Sequence, residues 1–361
     1  MLLYKHGSAL IDGKIIVTDI VANHGRIIAI EPDVVPDNDT EVIDCNGKFI
    51  LPALVDIHTH GANGYDFNTA DKDGMKKILD FYISHGVGTV LPTVMTDSDD
   101  VICRQVALIA ELSKDYPEIK GIHLEGPFLS ADYCGAHDKQ YLQTPSFDKF
   151  LTYQKSAQGL IKLVTVAPEL PHAIDFITEA TTARVKVSLG HSGANHDTVE
   201  KALKAGAVSF THFGNSMSQM DRRDLNMVGS ALSSNAYAEV ICDGKHVDKD
   251  VLAFLVRSKG INKVIGVTDS FSATGCNDGN YKLGALNVTV KDGQAYLDGT
   301  NKTVGSMLDA HTGLANVISF TGLKLPEAIK LWTINPAKML GLDNRIGTIE
   351  VGKDADFIVI G

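Results

Sequence analysis

Chemically active side chains stand at or near the ends of five apolar, strand-like runs. These side chains are His58, His60, Glu125, His191, His212 and Asp269. Residues i and i+2 of a strand face the same side, so His58 and His60 can direct two imidazoles toward one point. Burying the carboxylate of Glu125 in an apolar run is costly unless a cation or another partner compensates it. Each of these residues alone is more often a hydrogen-bonded core residue than a ligand, but five such run ends indicate one shared site.

Histidine and carboxylate ligands without thiolates favour a borderline divalent ion. Zn²⁺ is the simplest choice, and Fe²⁺, Mn²⁺ and Co²⁺ also fit. Such an ion lowers the pKa of a water toward about 7 and polarises a carbonyl. We expect Asp269 to accept the proton of that water and return it to the leaving group, the structural alternative being a helix N-cap. The pattern predicts metal-assisted hydrolysis.

Segments beyond the run ends offer contacts for a substrate. His246 follows the seventh run and can donate a hydrogen bond to a developing oxyanion, or simply cap the next helix. The loop from 215 to 224 contains Arg222 and Arg223, whose guanidinium groups suit a phosphate or carboxylate, although such a pair is usually solvated. His137 is a weaker candidate when it is considered alone.

Eight Val/Ile-rich runs alternate with helical patterns and would position these residues. The runs are 54–60, 87–95, 119–128, 161–169, 183–192, 207–215, 237–247 and 263–273. Helix signals between them, with capping residues or closing glycines, include 73–85, 197–205 and 248–259. Eight such units over roughly 280 residues fit an α/β fold with a (β/α)8 TIM-type barrel better than an open doubly wound sheet. A barrel places its active site at the C-terminal strand ends, which is where the candidate ligands lie.

Short alternating runs at both ends of the chain predict a second, smaller unit. We expect residues 1–52 and 337–361 to form one small β-sandwich module beside a catalytic barrel of residues 53–336. A hairpin-like insertion at 281–297 follows the eighth barrel run.

Composition excludes several classes of protein. Lys and Arg number 33 against 44 Asp and Glu, a net charge of −11, which argues against a nucleic-acid binder. The apolar runs fall short of the ~18 residues of a membrane helix, and no signal-peptide core is visible, so we expect a cytoplasmic protein that binds no membrane. The five scattered cysteines predict neither disulfides nor a thiolate zinc site. Phosphate-loop, dinucleotide and serine-hydrolase motifs are also missing from the sequence.

A set of short phrases in this sequence resembles the N-acetylglucosamine-6-phosphate deacetylases of the amidohydrolase superfamily, essentially end to end. The phrases are HLEGPFL at 123–129, GAH at 135–137, VAPE at 166–169, GHS at 190–192, TH at 211–212, CDGKHV at 242–247 and VTD at 267–269. The resemblance implies hydrolysis of the acetamide of N-acetylglucosamine 6-phosphate, which yields glucosamine 6-phosphate and acetate.

The resemblance also implies roles for individual residues. Glu125, His191 and His212 would hold the main metal ion, Asp269 would be the acid and base, and His246 would polarise the acetyl carbonyl. The phosphate would be bound by Asn215, Ser216 and an arginine of the neighbouring subunit, here Arg223, which implies a homodimer with shared sites, and His137 would lie near a sugar hydroxyl. His58 and His60 are retained in this chain, so a second ion bridged through Glu125 is compatible with the resemblance.

Local departures from the family keep alternatives open. Gly214, Ser216 and Leu225-Asn226 replace the family's usual residues beside the sugar and phosphate pocket, so N-acetylgalactosamine 6-phosphate is an alternative substrate. A cyclic amidase would carry a metal-bridging modified lysine at the end of the fourth run, where this chain has Ala167-Pro168-Glu169. A non-catalytic barrel protein is the alternative outside enzymes, and the intact set of ligands argues against it.

Overall fold

The computed structural model describes residues 1–284, 286–300 and 302–361. The strands β1 to β19 are, in order, Leu2–Ile11, Lys14–Asn23, Arg26–Glu31, Glu41–Asp44, Phe49–Pro52, Leu54–Thr59, Gly61–Ala62, Tyr65–Asp66, Val87–Met95, Ile122–Glu125, Ile161–Val166, Lys186–Leu189, Ser209–Phe210, Tyr237–Ile241, Val264–Val267, Gly279–Leu283, Leu286–Lys291, Gln294–Leu297 and Phe357–Ile360. The helices α1 to α10 are Lys72–Ser84, Asp99–Leu112, Phe147–Ser156, Ala173–Thr182, His196–Lys204, Asn226–Ser233, Lys249–Lys259, Ala310–Thr321, Leu325–Ala328 and Ile334–Leu340. None of these helices combines the length and apolar character needed to cross a membrane.

Eight parallel strands form the predicted barrel. Their order is β6, β9, β10, β11, β12, β13, β14, β15, so each strand pairs with the next one along the barrel. Two backbone hydrogen bonds join the last strand to the first just beyond their ends. The amide of Asp269 donates to the carbonyl of His58 at 2.9 Å, and the amide of His60 donates to the carbonyl of Ser270 at 2.7 Å. The predicted TIM-type barrel is confirmed, and its closure lies at the end that carries the candidate ligands.

The barrel helices begin where the sequence supplies capping side chains. The carboxylate of Asp71 accepts a hydrogen bond from the amide of Gly74 at the start of α1, and the side chain of Asn195 accepts from Thr198 at the start of α5. Helix α7 begins after Asp248. The helices therefore start within two residues of the predicted positions, and their buried faces cover strands that are buried on both sides.

Both ends of the chain contribute to a separate six-stranded sheet, in which β19, β5, β1, β2 and β3 follow one another and β4 pairs with β1. Strand β1 changes partner along its length, since Leu2 to Lys5 pair with β4 and Ser8 and Ala9 pair with β5. The terminal module is thus confirmed as a sheet. Its proposed limits, 1–52 and 337–361 around the barrel of 53–336, remain a prediction, and helix α10 spans the proposed boundary at residue 336.

The insertion after the eighth barrel strand forms a three-stranded antiparallel sheet of β16, β17 and β18. Its apolar face packs against Met95 and Phe271 at the barrel mouth. The segment that follows β18 returns toward the barrel, and its Val304 joins the same apolar cluster. The insertion therefore forms one wall above the C-terminal strand ends.

Candidate metal centre and active site

Glu125 lies at the centre of the candidate site, buried at the end of β10. Its two carboxylate oxygens face Nε2 atoms of several histidines. The distances from Oε1 are 3.1 Å to His191, 3.2 Å to His212 and 3.3 Å to His58, and those from Oε2 are 3.2 Å to His60 and 3.3 Å to His137. The sequence-predicted ligands are thus brought together around one carboxylate, although they come from four different strands.

These ligands fall into two groups that share Glu125. One group is His58, His60 and Glu125, and the other is Glu125, His191 and His212. The ligand atoms within each group lie within 4.8 Å of one another. Asp269 borders the first group, with Oδ1 at 3.2 Å from Nε2 of His60. A shared carboxylate between two triads is an arrangement that suits one or two ions.

The orientation of the side chains fits a cation. Nε2 of His191 and Nε2 of His212 face each other at 2.9 Å, and the buried Nε2 of His58 has no hydrogen-bond partner among the described residues. Imidazole nitrogens that converge in this way either share protons or coordinate a metal ion. The donor set of histidine and carboxylate is that of a borderline divalent ion.

The charges of the site also favour a bound cation. Burial lowers the pKa of His60, but hydrogen bonds and charges from Asp269 and Glu125 outweigh it and raise that pKa to about 9. Burial raises the pKa of Asp269, yet the neighbouring His58 and His60 hold it well below its usual range. The two carboxylates therefore require positive charge, which protons on histidines supply here and which a divalent ion would supply equally.

Three of these side chains leave their strands through unusual backbone conformations. His191, His212 and Asp269 follow the ends of β12, β13 and β15 and have φ values of +50°, +32° and +48°. Such values cost residues with a Cβ about 1–3 kcal/mol and cluster at functional sites. The left-handed turns redirect the three side chains from the strands into the barrel mouth.

A further layer of polar groups contacts the far sides of the rings. Nδ1 of His58 donates to Oε2 of Glu239 at 3.1 Å, and Nδ1 of His191 donates to the carbonyl of Tyr133 at 2.9 Å. Sequence reasoning missed both partners. Glu239 carried a usable signal, because it is a carboxylate within an apolar run, as Glu125 is. The Tyr133 carbonyl carried none, since any residue has one.

A cavity of about 410 Å³ opens beside the cluster. Its lining includes the predicted substrate contacts His137, Asn215, Ser216 and His246, together with Asp269 and ligand side chains. The insertion contributes Leu283 to the lining, and the segment after β18 contributes Lys302 to Gly305. Arg223 is the exception, because it is exposed on its loop and does not line the cavity of its own chain.

Comparison with known proteins decides the family. Residues 49–361 match the amidohydrolase family. This chain belongs to the amidohydrolase family. Among its relatives is the N-acetylglucosamine-6-phosphate deacetylase of Bos taurus, 32% identical over 365 residues, which cover 96% of this chain and 88% of the relative. The enzyme of the same name from Bacillus subtilis (strain 168) is 34% identical over 319 residues, which cover 86% of this chain and 80% of the relative.

Solved structures agree with this assignment. The amidohydrolase superposes on N-acetyl-D-glucosamine-6-phosphate deacetylase from Mycobacterium smegmatis, solved in complex with N-acetyl-D-glucosamine-6-phosphate, with a TM-score of 0.92 at 28% identity. That comparison covers 99% of this chain and 94% of the other. The N-acetylglucosamine-6-phosphate deacetylase of Thermotoga maritima gives a TM-score of 0.88 at 28% identity, over 99% of this chain and 94% of the other. The predicted resemblance is confirmed.

The position where a cyclic amidase would carry its modified lysine has a different role in this amidohydrolase. Glu169 follows β11 there, and its carboxylate accepts hydrogen bonds from Oγ of Ser192 and the amide of Gly193, both at 2.6 Å. These two hydrogen bonds therefore stabilise the turn that follows His191. Between the two ligand groups, the shared carboxylate is that of Glu125.

Proposed function

We propose that this amidohydrolase removes the acetyl group of N-acetylglucosamine 6-phosphate and releases glucosamine 6-phosphate and acetate. The observation that carries the proposal is the pair of histidine groups that share Glu125 beside Asp269 at the floor of the cavity. The named relatives, which are deacetylases of this phosphosugar, support the choice of substrate.

The proposed cofactor is a divalent ion, with Zn²⁺ ahead of Fe²⁺, Mn²⁺ and Co²⁺. Glu125, His191 and His212 would hold the main ion, and His58 and His60 would hold a second ion together with Glu125. When bound, the metal supplies an acidified water and a polarised acetyl carbonyl. The protein's own side chains then orient the substrate and move its protons.

Asp269 is the proposed acid and base. Its depressed pKa keeps the carboxylate ionised at neutral pH, and it lies within 3.6 Å of Nε2 of both His58 and His60. It would take a proton from the attacking water as the new C–O bond forms. It would return that proton to the amide nitrogen as the C–N bond breaks, which leaves a free amine and acetate.

His246 is the proposed donor to the acetyl oxygen. Its Nδ1 donates to Oδ2 of Asp243 at 2.7 Å, which orients the ring. Burial lowers the pKa of His246, but the hydrogen bond and charge of Asp243 outweigh it and raise that pKa. A ring held in this way can present an Nε2–H group to the oxyanion that develops on the carbonyl.

The phosphate would be held by Asn215 and Ser216, which line the same cavity. Because Arg223 is exposed and outside the cavity of its own chain, we propose that it serves a neighbouring active site in a homodimer. Among the described residues that line the cavity, Lys302 is the one lysine or arginine, so it offers a phosphate contact from the same chain. His137 borders both the cavity and Glu125, and we propose that it contacts a sugar hydroxyl.

The proposal extends to the setting of the reaction. A sugar phosphate carries charge that prevents it from crossing a lipid bilayer, so we propose a cytoplasmic enzyme. Nucleic acid and membrane are not among its proposed partners.

The test is acetate release from four sugars by metal-replete protein, with a chelated sample as the control. The sugars are N-acetylglucosamine and N-acetylgalactosamine, each with and without the 6-phosphate. We expect metal-dependent release from N-acetylglucosamine 6-phosphate. Preference for the galacto phosphate would instead assign the sister activity and point to Gly214, Ser216, Leu225 and Asn226, while no release from any of the four would refute the proposal.

A further inference from the structure

Glu239 is a buried carboxylate that the proposed reaction does not use. It lies in β14, inside the barrel, and both it and His58 are 0% exposed. Its Oε2 accepts the hydrogen bond from Nδ1 of His58, and its Oε1 has no partner among the described residues. Burying a carboxylate with one oxygen unpaired is costly, so the contact with His58 requires an explanation.

The contact is specific to one of the candidate ligands. His191 has a backbone carbonyl behind its ring, while the buried Nδ1 atoms of His60 and His212 have no hydrogen-bond partner in the described parts of the chain. His58 therefore differs from the other ligand histidines, because a carboxylate contacts its Nδ1. The neighbouring Asp56 contacts the amide of His58 and the hydroxyl of Thr268, not the ring.

The hydrogen bond decides which nitrogen of His58 is available. A ring that donates its Nδ1 proton to Glu239 carries a lone pair on Nε2, and that Nε2 points at Oε1 of Glu125 at 3.3 Å. Carboxylates behind metal-binding histidines fix the tautomer and the ring orientation and make the ligand nitrogen more basic. Neither side chain is exposed, so bulk solvent does not compete for this hydrogen bond.

We propose that Glu239 is a positioning residue that orients His58 and thereby sets the affinity for the second ion, at His58, His60 and Glu125. The inference rests on the proposed metal-dependent function. The backbone of Glu239 has a separate contact, because its carbonyl accepts from the amide of Phe213, next to His212, at 2.7 Å. A side-chain substitution leaves that backbone contact in place and therefore tests the link to His58 alone.

The experiment measures metal binding without substrate. Wild type, Glu239→Gln and Glu239→Leu are stripped of metal and titrated with Zn²⁺ against a chromophoric chelator, and the bound metal is counted by mass spectrometry. We expect two ions in the wild type. We expect the weaker ion to lose about 10- to 100-fold in affinity in the Gln variant, and more in the Leu variant, while the tighter ion is unchanged.

Two controls separate positioning from a general structural effect. Thr89→Val alters another fully buried barrel side chain, whose hydroxyl has no hydrogen-bond partner among the described residues, and this variant should keep both ions. In a His58→Gln background, Glu239→Gln should change the remaining affinity by less than two-fold, because the ring that it positions is gone. The Co²⁺ absorption spectrum of the weaker site should change in Glu239→Gln and not in Thr89→Val.

Three results would overturn the inference. They are a wild type that binds one ion, a folded Glu239→Gln variant with both affinities within two-fold of wild type, and equal weakening of both ions. If both Glu239 variants fail to fold, ¹⁵N spectra of histidine-labelled wild type decide, since the inference requires the proton of His58 on Nδ1. Two ions with the expected pattern but no acetate release would refute the proposed substrate and leave the role of Glu239 intact.

Discussion

Nε2 of His191 and Nε2 of His212 lie 2.9 Å apart, at the ends of neighbouring barrel strands. Burial lowers the pKa of His191 to about 4, so that ring is neutral at physiological pH. A neutral imidazole is the form that binds metal. The two rings therefore meet in the geometry of ligands, with Glu125 as the third, and His191 has the protonation state that a ligand needs.

Glu125 should be indispensable for both ions. We expect Glu125→Gln to lower bound metal to less than a tenth of the wild-type amount and acetate release by at least about 10³-fold, because it removes the charge shared by both groups. Metal analysis and an acetate assay on the same samples check this. The exposed Glu179→Gln is the matched control. Normal metal content in Glu125→Gln would contradict the assignment.

Asp269 should affect turnover and not metal content. We expect Asp269→Asn to keep its metal while kcat falls by about 10²–10⁴-fold, because the amide cannot carry the transferred proton. KM should change little, since the proposed role is proton transfer. Steady-state kinetics with metal analysis test the expectation, and near-normal kcat would remove Asp269 from the role of acid and base.

Substitutions of Arg223 and Lys302 should show whether the phosphate is bound by the neighbouring subunit or by the same chain. We expect Arg223→Ala to raise KM for the phosphorylated sugar by about 10- to 100-fold, with no change for the unphosphorylated sugar, because it removes a charge-assisted hydrogen bond. Its neighbour Arg222→Ala is the matched control. At a substrate concentration well below the KM of Arg223→Ala, mixing this variant with Asp269→Asn should restore activity at the wild-type KM if the arginine acts across a dimer. A loss confined to Lys302→Ala would place the phosphate contact within one chain.

Asp356 should make stability fall between pH 4 and pH 6. Burial between the terminal sheet and the barrel raises the pKa of its carboxyl to about 6, with Lys120 opposing the shift. Because the folded-state pKa lies above the unfolded value of about 4, the stabilising contribution is full below that value and is lost as pH rises through 6. We expect Asp356→Asn to raise the free energy of unfolding by about 1–2 kcal/mol at pH 7.5 and to change it little at pH 4. Urea unfolding at both pH values measures this, and an equal effect at both would contradict it.

The convergence of the ligands was predictable because barrel topology brings the ends of parallel strands together. His58, Glu125 and His212 are far apart in the chain, but each follows an apolar run, and that pattern alone indicates a common location. The pairing of each ring with the group behind it was not predictable, although Glu239 itself stands out as a carboxylate within an apolar run. Glu239 contacts a residue 181 positions away, and a pattern of run ends does not say which strand faces His58 across the barrel.

The sequence overestimates the length of a strand where a candidate site residue ends it in a left-handed turn. The run 207–215 predicts a long sixth strand, but β13 covers only Ser209–Phe210, since the left-handed turn at His212 ends the ladder. Apolar composition does not reveal such a turn, because the deciding forces come from groups that pack around the histidine in the folded barrel. The predicted insertion was found, but its place as a wall of the cavity depends on tertiary packing with Met95 and Phe271.

The pairing of β19 with β5 has a consequence for biosynthesis. Residues 49 to 52 leave the ribosome long before residues 357 to 360, which pair with them in antiparallel register. Until residues 357 to 360 have been translated, the backbone groups on that side of β5 stay unpaired, and an exposed sheet edge favours pairing with other chains. A nascent chain of this protein therefore exposes an unpaired sheet edge throughout the synthesis of its barrel. A ribosome that stalls after the eighth barrel strand leaves a chain prone to aggregate, even if all of its proposed metal ligands are present.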